Sequence, residues 1–143
     1  MNISKQGIDL IKSFESLRLT AYLCPAGVWT IGYGHTANVK RGDMITEEQA
    51  QKMLESDLAW VEHTIQVTVT VPLTQNQYDA LCSIIYNIGS TMFSNSTLLK
   101  YINSRAEENA IVGQFMRWKF VDGRESKGLV NRRRREIALW CNK

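Results

Sequence analysis

The sequence predicts an α+β fold: a small β-hairpin lobe near the N-terminus, a larger helical lobe, one long helix joining them, and a cleft between the two. Three observations predict it. Strand-forming residues concentrate between Arg18 and His35. Two Thr-x-x-Gln capping boxes, Thr46/Gln49 and Thr74/Gln77, each open a strongly periodic apolar stripe. No repeat, low-complexity tract or linker divides the 143 residues, a length suited to one domain. The expected division of that single domain is a hairpin lobe at about 16–45, a helical lobe made of 1–15 and 67–143, and a connecting helix at 46–66.

Residues 3–13 read as a helix with Ile8 and Ile11 facing inward and Phe14 just beyond. Leu19, Tyr22, Val28, Trp29, Thr30, Ile31 and Tyr33 favour strands, and Cys24-Pro25-Ala26-Gly27 between them reads as a turn. From Thr46 the positions Ala50, Met53, Leu54, Asp57/Leu58, Val61 and Ile65 keep a helical apolar period. Val67–Val71 is β-branched and locally strand-like, yet it lies between two helical patterns and serves equally as a helix end and connector. Tyr78, Leu81, Cys82, Ile85 and Ile88 form the next stripe, which stops at Gly89. Further helices are expected at about 95–104, 106–117 and 129–140.

Composition narrows the function classes. With 44% hydrophobic and 22% charged residues the chain is ordinary for a globular protein, and no window approaches the ~20 apolar residues of a membrane span. The polar start, Met1 to Asp9, lacks the apolar core of a signal peptide, so the expected location is the cytoplasm. Cys24, Cys82 and Cys141 are odd in number and outside any CxxC motif, and neither His35 nor His63 stands at zinc-ligand spacing from them. Free thiols, no metal and no cofactor are expected. Residues 1–116 hold 8 Lys/Arg against 11 Asp/Glu, whereas 117–143 hold 9 against 3, so the basic charge lies at the C-terminal end. Such an end suits a polyanion: nucleic acid, anionic lipid or anionic cell wall.

Glu15 is the first candidate for chemistry. It stands four residues after Ile11, continuing the apolar face of its helix, at the helix's negative end. Burial and the helix end both favour a carboxyl group that keeps its proton, as a general acid must. The competing reading is a solvated glutamate at a frayed end. Cys24 on its own reads as a small residue in a turn, with an ordinary thiol and no helix N-terminus nearby to activate it. Thr30 alone is an unexceptional strand residue. Arg132-Arg133-Arg134-Arg135 reads either as a basic helix face or as a nucleic-acid contact, with Ile137 and Trp140 on the same helix requiring at least one arginine to flank packed residues.

The segment Glu15-Ser-Leu-Arg-Leu-Thr-Ala-Tyr-Leu-Cys24-Pro-Ala-Gly-Val-Trp-Thr30-Ile-Gly-Tyr-Gly-His35-Thr resembles the catalytic stretch of the phage-type lysozymes, glycoside hydrolase family 24. That pattern is Glu, eight residues, Asp or sometimes Cys, five residues, then Thr, followed by Gly-x-Gly-His. Val71–Cys82, Tyr86-Asn-Ile-Gly89 and Gly128–Trp140 are similar to the lambdoid-phage branch of the same family. The resemblance implies a lysozyme-like fold and a muramidase cutting between N-acetylmuramic acid and N-acetylglucosamine. It implies Glu15 as the acid, Cys24 and Thr30 at the attacking water, and Arg132 beside Glu15. It makes His35 an organiser of the hairpin, and it sets Thr36, Tyr86, Phe93 and Ser96 along the cleft, although Phe93 suits plain core packing better and Cys82 reads as core.

The implied partner is peptidoglycan, with no nucleic acid and no stable membrane insertion. The implied protein is a monomer released from the host cytoplasm to the periplasm by a holin-type membrane lesion. Cys24 departs from the usual Asp, which leaves its role as base or nucleophile, and the stereochemical outcome, open. A lytic transglycosylase, needing one acid and no water-activating carboxylate, and a wall-binding module without activity are the competing readings. A Cys–His peptidase using Cys24 and His35 fits less well, because the tight hairpin lacks a helix N-terminus.

Overall fold

A computed structural model describes residues 1–143. Helix α1, Lys5–Phe14, leads into an antiparallel hairpin of β1, Arg18–Leu23, and β2, Trp29–Gly32. Helices form most of the remainder: α2 (Glu47–Thr68), α3 (Gln75–Ile88), α4 (Ser90–Ser94), α5 (Thr97–Asn103), α6 (Glu108–Met116) and α7 (Lys127–Cys141). A second small hairpin, β3 (Phe120–Val121) with β4 (Arg124–Glu125), precedes α7.

Both capping boxes form. Thr46 Oγ1 accepts from the Gln49 amide at 3.1 Å while the Gln49 side chain accepts from the Thr46 amide, and Thr74 and Gln77 repeat the arrangement. Each box satisfies two amides that a helix start would otherwise leave unpaired. Behind the first, Ala50, Leu54, Leu58, Val61 and Ile65 are buried on one face of α2. The β-branched run after it does not form a strand: α2 continues to Thr68, capped by Val69. Asn103 of α5 decides the matter, donating to Thr68 O (2.8 Å) and accepting from the Thr70 amide (2.9 Å). Those two bonds replace the partners a strand would have supplied.

Two elements have no counterpart in the sequence reading. Helix α4 follows Gly89, whose φ of +92° ends α3, and Ser90 Oγ lies 2.6 Å from Thr64 Oγ1 on α2. The β3–β4 hairpin turns at Asp122-Gly123, a dipeptide favoured in two-residue hairpin loops. Residues 43–45 also return along the free edge of β1: the Ala21 amide donates to Asp43 O and the Ile45 amide to Leu19 O, both at 2.9 Å.

One continuous core runs through the helical lobe and reaches the hairpin through Tyr33. At its centre α3 packs on α1, α2, α4 and α7, and α2 packs on β2. Phe93 and Cys82 are fully buried in this core, as read from the sequence. No helix is long and apolar enough to cross a membrane.

Candidate active site

The N-terminal end of α1 is fixed from outside. Buried Asp79 of α3 accepts from the Ser4 amide (3.0 Å) and from its hydroxyl, and Gly7 packs so tightly on Asp79 that an added Cβ would lie 2.8 Å from its carboxyl carbon. At its other end the same helix delivers Glu15 as its C-cap, with the Glu15 amide bonded to Ile11 O at 3.0 Å.

The Glu15 side chain is 22% exposed and its two oxygens have different surroundings. Oε2 lies 2.6 Å from Nη1 of Arg132, which α7 supplies from the other end of the chain. Oε1 faces Gly34, where a Cβ would come within 2.9 Å of it. Gly34 has a φ of +83°, so its position requires glycine twice over: for the backbone and for the space.

Arg132 is itself 5% exposed and fully engaged. Nη2 donates to Ser83 O (3.0 Å), Nε approaches Glu136 Oε2 (3.3 Å), and the guanidinium lies 4.8 Å from the centre of the Phe14 ring. The arginine run therefore divides. Arg132 and Arg133 are buried; Arg134 and Arg135 are exposed, with Arg135 reaching Ser13 at 3.0 Å. Arg133, within a run that reads as a basic helix face, is fully buried.

His35 joins the hairpin to α2. Its Nδ1 lies 2.8 Å from Asp57 Oδ2, and both side chains are mostly buried. Tyr86 of α3 fastens the same segment from the other side by donating its hydroxyl to Tyr33 O, and its ring stacks on Trp60. Burial first, and then the carboxylates of Asp57 and Glu15, push the Tyr86 hydroxyl well above its ordinary range, with Arg132 opposing. It stays a neutral donor.

Cys24 and Thr30 share the mouth of the hairpin. Thr30 is buried on β2, its hydroxyl donating to Val28 O at 3.0 Å. Across the Cys24–Gly27 turn the Cys24 amide bonds Val28 O (3.0 Å) and the Gly27 amide bonds Cys24 O (2.8 Å). No helix N-terminus adjoins the thiol, and the backbone of the turn holds it below its ordinary value. The Val28 backbone contributes most, partial burial opposes it, and the backbone at Ala26 adds to the lowering.

Among the residues expected along the cleft, Tyr86 adjoins the Glu15 surroundings. Thr36 is exposed just beyond His35. Ser96 serves as the N-cap of α5, accepting from the Leu99 amide at 3.1 Å and donating to Phe93 O at 2.6 Å. Gly34, Asp57, Ser83 and Glu136 join the site without having been singled out by the sequence reading. The Gly-x-Gly before His35 carries a signal for Gly34; Asp57 and Ser83 lie on helices whose apolar stripes dominate their patterns.

The chain matches the family described as phage lysozyme over residues 12–136. It is 49% identical over 144 aligned residues to an endolysin of Acyrthosiphon pisum secondary endosymbiont phage 1, covering 98% of each chain. It is 45% identical to the endolysin of Salmonella phage P22, covering 99% of each. Among solved structures, the muramidase domain of SpmX from Asticaccaulis excentricus superposes with a TM-score of 0.90 at 36% identity, over 99% of both chains. A point mutant of P22 lysozyme superposes at 0.84 with 44% identity, again over 99% of both. With Glu15 at the end of α1 paired to Arg132 of α7, and with that similarity over its whole length, the chain belongs to the phage lysozyme family.

Proposed function

We propose that this protein is an endolysin that hydrolyses the β-1,4 bond between N-acetylmuramic acid and N-acetylglucosamine in bacterial peptidoglycan, with Glu15 as general acid. The observation that carries this reading is the division of labour between the two Glu15 oxygens. Arg132 fixes the carboxyl group through Oε2, and Oε1, beside the Cβ-free wall of Gly34, holds the proton for the leaving glycosidic oxygen. Water attacks the muramic acid C1, the C1–O bond breaks, and the Glu15 proton passes to the departing oxygen. Cys24 takes the proton from the water, and Thr30, whose own proton is directed at Val28 O, accepts a hydrogen bond from the same water. The lowered thiol supports Cys24 as that base.

The protein works as a monomer and as one catalytic domain over 1–143, with the hairpin lobe at about 16–45 and the connecting helix at 46–66. Thr36, Tyr86 and Ser96 border the glycan. It acts on the wall from the periplasm after a holin-type lesion releases it from the host cytoplasm. Turbidity clearing of permeabilised Gram-negative cells, with mass spectrometry of the products, tests the reaction. Reducing-end muramic acid is expected. A 1,6-anhydro product would assign transglycosylation instead, and binding to sacculi without soluble fragments would mean a wall-binding module.

A further inference from the structure

Behind the residues that border the cleft lies a group that no substrate can touch. Glu136 is fully buried one helical turn after Arg132. Its Oε2 accepts from Ser83 Oγ (2.6 Å), Arg133 Nη2 (3.0 Å) and Arg132 Nε (3.3 Å). Arg133 Nε stands 2.6 Å from Oε1 as an ion pair without hydrogen-bond alignment, and Arg133 Nη1 donates to Trp118 O at 3.1 Å. Two guanidinium groups and one carboxylate thus sit together out of water. Packing has no need of them, since apolar side chains of equal volume commonly serve a core as well or better.

The arrangement makes sense from the side of Glu15. Arg132 touches both carboxylates, Glu136 through Nε and Glu15 through Nη1. We propose that Glu136 is a positioning residue that locks Arg132 in place and shares its positive charge, so that Glu15 is held by a cation and can still be protonated in each turnover. This rests on the reading of Glu15 as the acid.

Other charges near the pair come from several elements. Arg132 is bonded to Glu15, and the Tyr86 hydroxyl feels the charges of both. Asp57, paired with His35, acts on the Tyr86 hydroxyl, Lys12 stands 5.2 Å from the Tyr33 ring centre, and Arg135 reaches α1 through Ser13. Arg132 and Arg133 of α7 and the Ser83 hydroxyl of α3 face Glu136. Burial pushes the Glu136 carboxyl up, with Arg133 and then Arg132 opposing, while burial pushes the Arg133 guanidinium down and Glu136 restores it. Each charge in the cluster is sustained by the others, and only Arg132 extends to the cleft.

Charge arithmetic defines the sign of the effect. Neutralising Glu136 leaves two cations with one carboxylate between them and favours the charged form of Glu15; neutralising Arg133 does the reverse. The test follows the Glu15 carboxyl by carbon NMR in protein labelled at glutamate, its resonance assigned by disappearance in Glu15→Gln. In Glu136→Gln the titration midpoint should fall by about half a pH unit or more, with lytic rate at neutral pH falling in step. In Arg133→Gln it should rise. A melting curve establishes that each variant is folded, and either folded variant decides: a midpoint unchanged from wild type overturns the proposal, even if activity is lost. The product analysis of the wild type reads the function separately, so a failed hydrolysis assay beside shifted midpoints would fault the reaction and not the coupling.

Discussion

Glu15 and Gly34 should fail in different ways. Glu15→Gln keeps the shape and the Arg132 contact but has no proton to give, so lytic activity should drop below about a hundredth of wild type with the melting temperature nearly unchanged. Gly34→Ala places a methyl group against Oε1 and strains a backbone at φ +83°, at a cost of roughly 1–2 kcal/mol. It should lose more activity than that modest destabilisation explains, a comparison made by measuring both on the same preparation. For Cys24 the ranking of two variants is informative. If the sulfur takes the water's proton, Cys24→Asp should retain much more activity than Cys24→Ser, because serine matches the size but supplies no anion at neutral pH; serine as active as wild type would reduce Cys24 to turn packing. The thiols can also be compared with one another. Cys24 is lowered by the turn amides and Cys141 is raised by burial and by Glu108, so at neutral pH Cys24 has the larger thiolate fraction. Iodoacetamide should label Cys24 ahead of Cys141, with buried Cys82 unlabelled until unfolding, as peptide mass spectrometry would read directly.

Packing of β2 on α2 joins the hairpin to the rest of the molecule, and polar contacts from His35 and Tyr33 O add to it. Asp57→Ala removes the partner of a mostly buried His35 and should cost about 1.5–3 kcal/mol, read by thermal or urea unfolding, with activity falling because Gly34 adjoins His35. The same distinction between local and distant contacts governs what is legible in the sequence. Capping boxes and apolar periodicity are local signals, so α2, α3 and the first hairpin stand out to within a few residues. Glu15, Cys24 and Thr30 stand out because they lie within one short segment. Helix α4 is hidden because its five residues bury only Phe93, too short a stripe to show a period, and it relies on a hydroxyl from α2. The end of α2 depends on Asn103, 35 residues away from Thr68. Glu136 and Ser83 meet across 53 residues of sequence, a pairing no spacing rule displays. The Asp-Gly turn of β3–β4, by contrast, is a local signal, but strands of two residues leave no alternation around it to read.

Across the molecule, the basic C-terminal end is two things at once. Buried Arg132 and Arg133 belong to the interior, while Arg134 and Arg135 belong to the surface. Arg134→Ala should leave activity on short soluble saccharides unchanged and flatten the salt dependence of binding to sacculi, since exposed charges are screened within about 10 Å at 0.1 M salt. Arg132→Ala should lower turnover and move the pH profile. Equal behaviour of the two in a salt titration of sacculus binding would contradict the assignment of Arg132 to the cleft.

The ion pair between Glu15 and Arg132 joins residues 117 positions apart. During synthesis the acid is therefore made early and its anchor late. A growing chain that has reached only α6 carries Glu15 on a helix whose cap lacks its cation, and lacks the α7 surface on which α3 packs. Glu15 thus gains its cation only once α7 has been made, and a chain cut short before Arg132 should hold that carboxyl group unpaired.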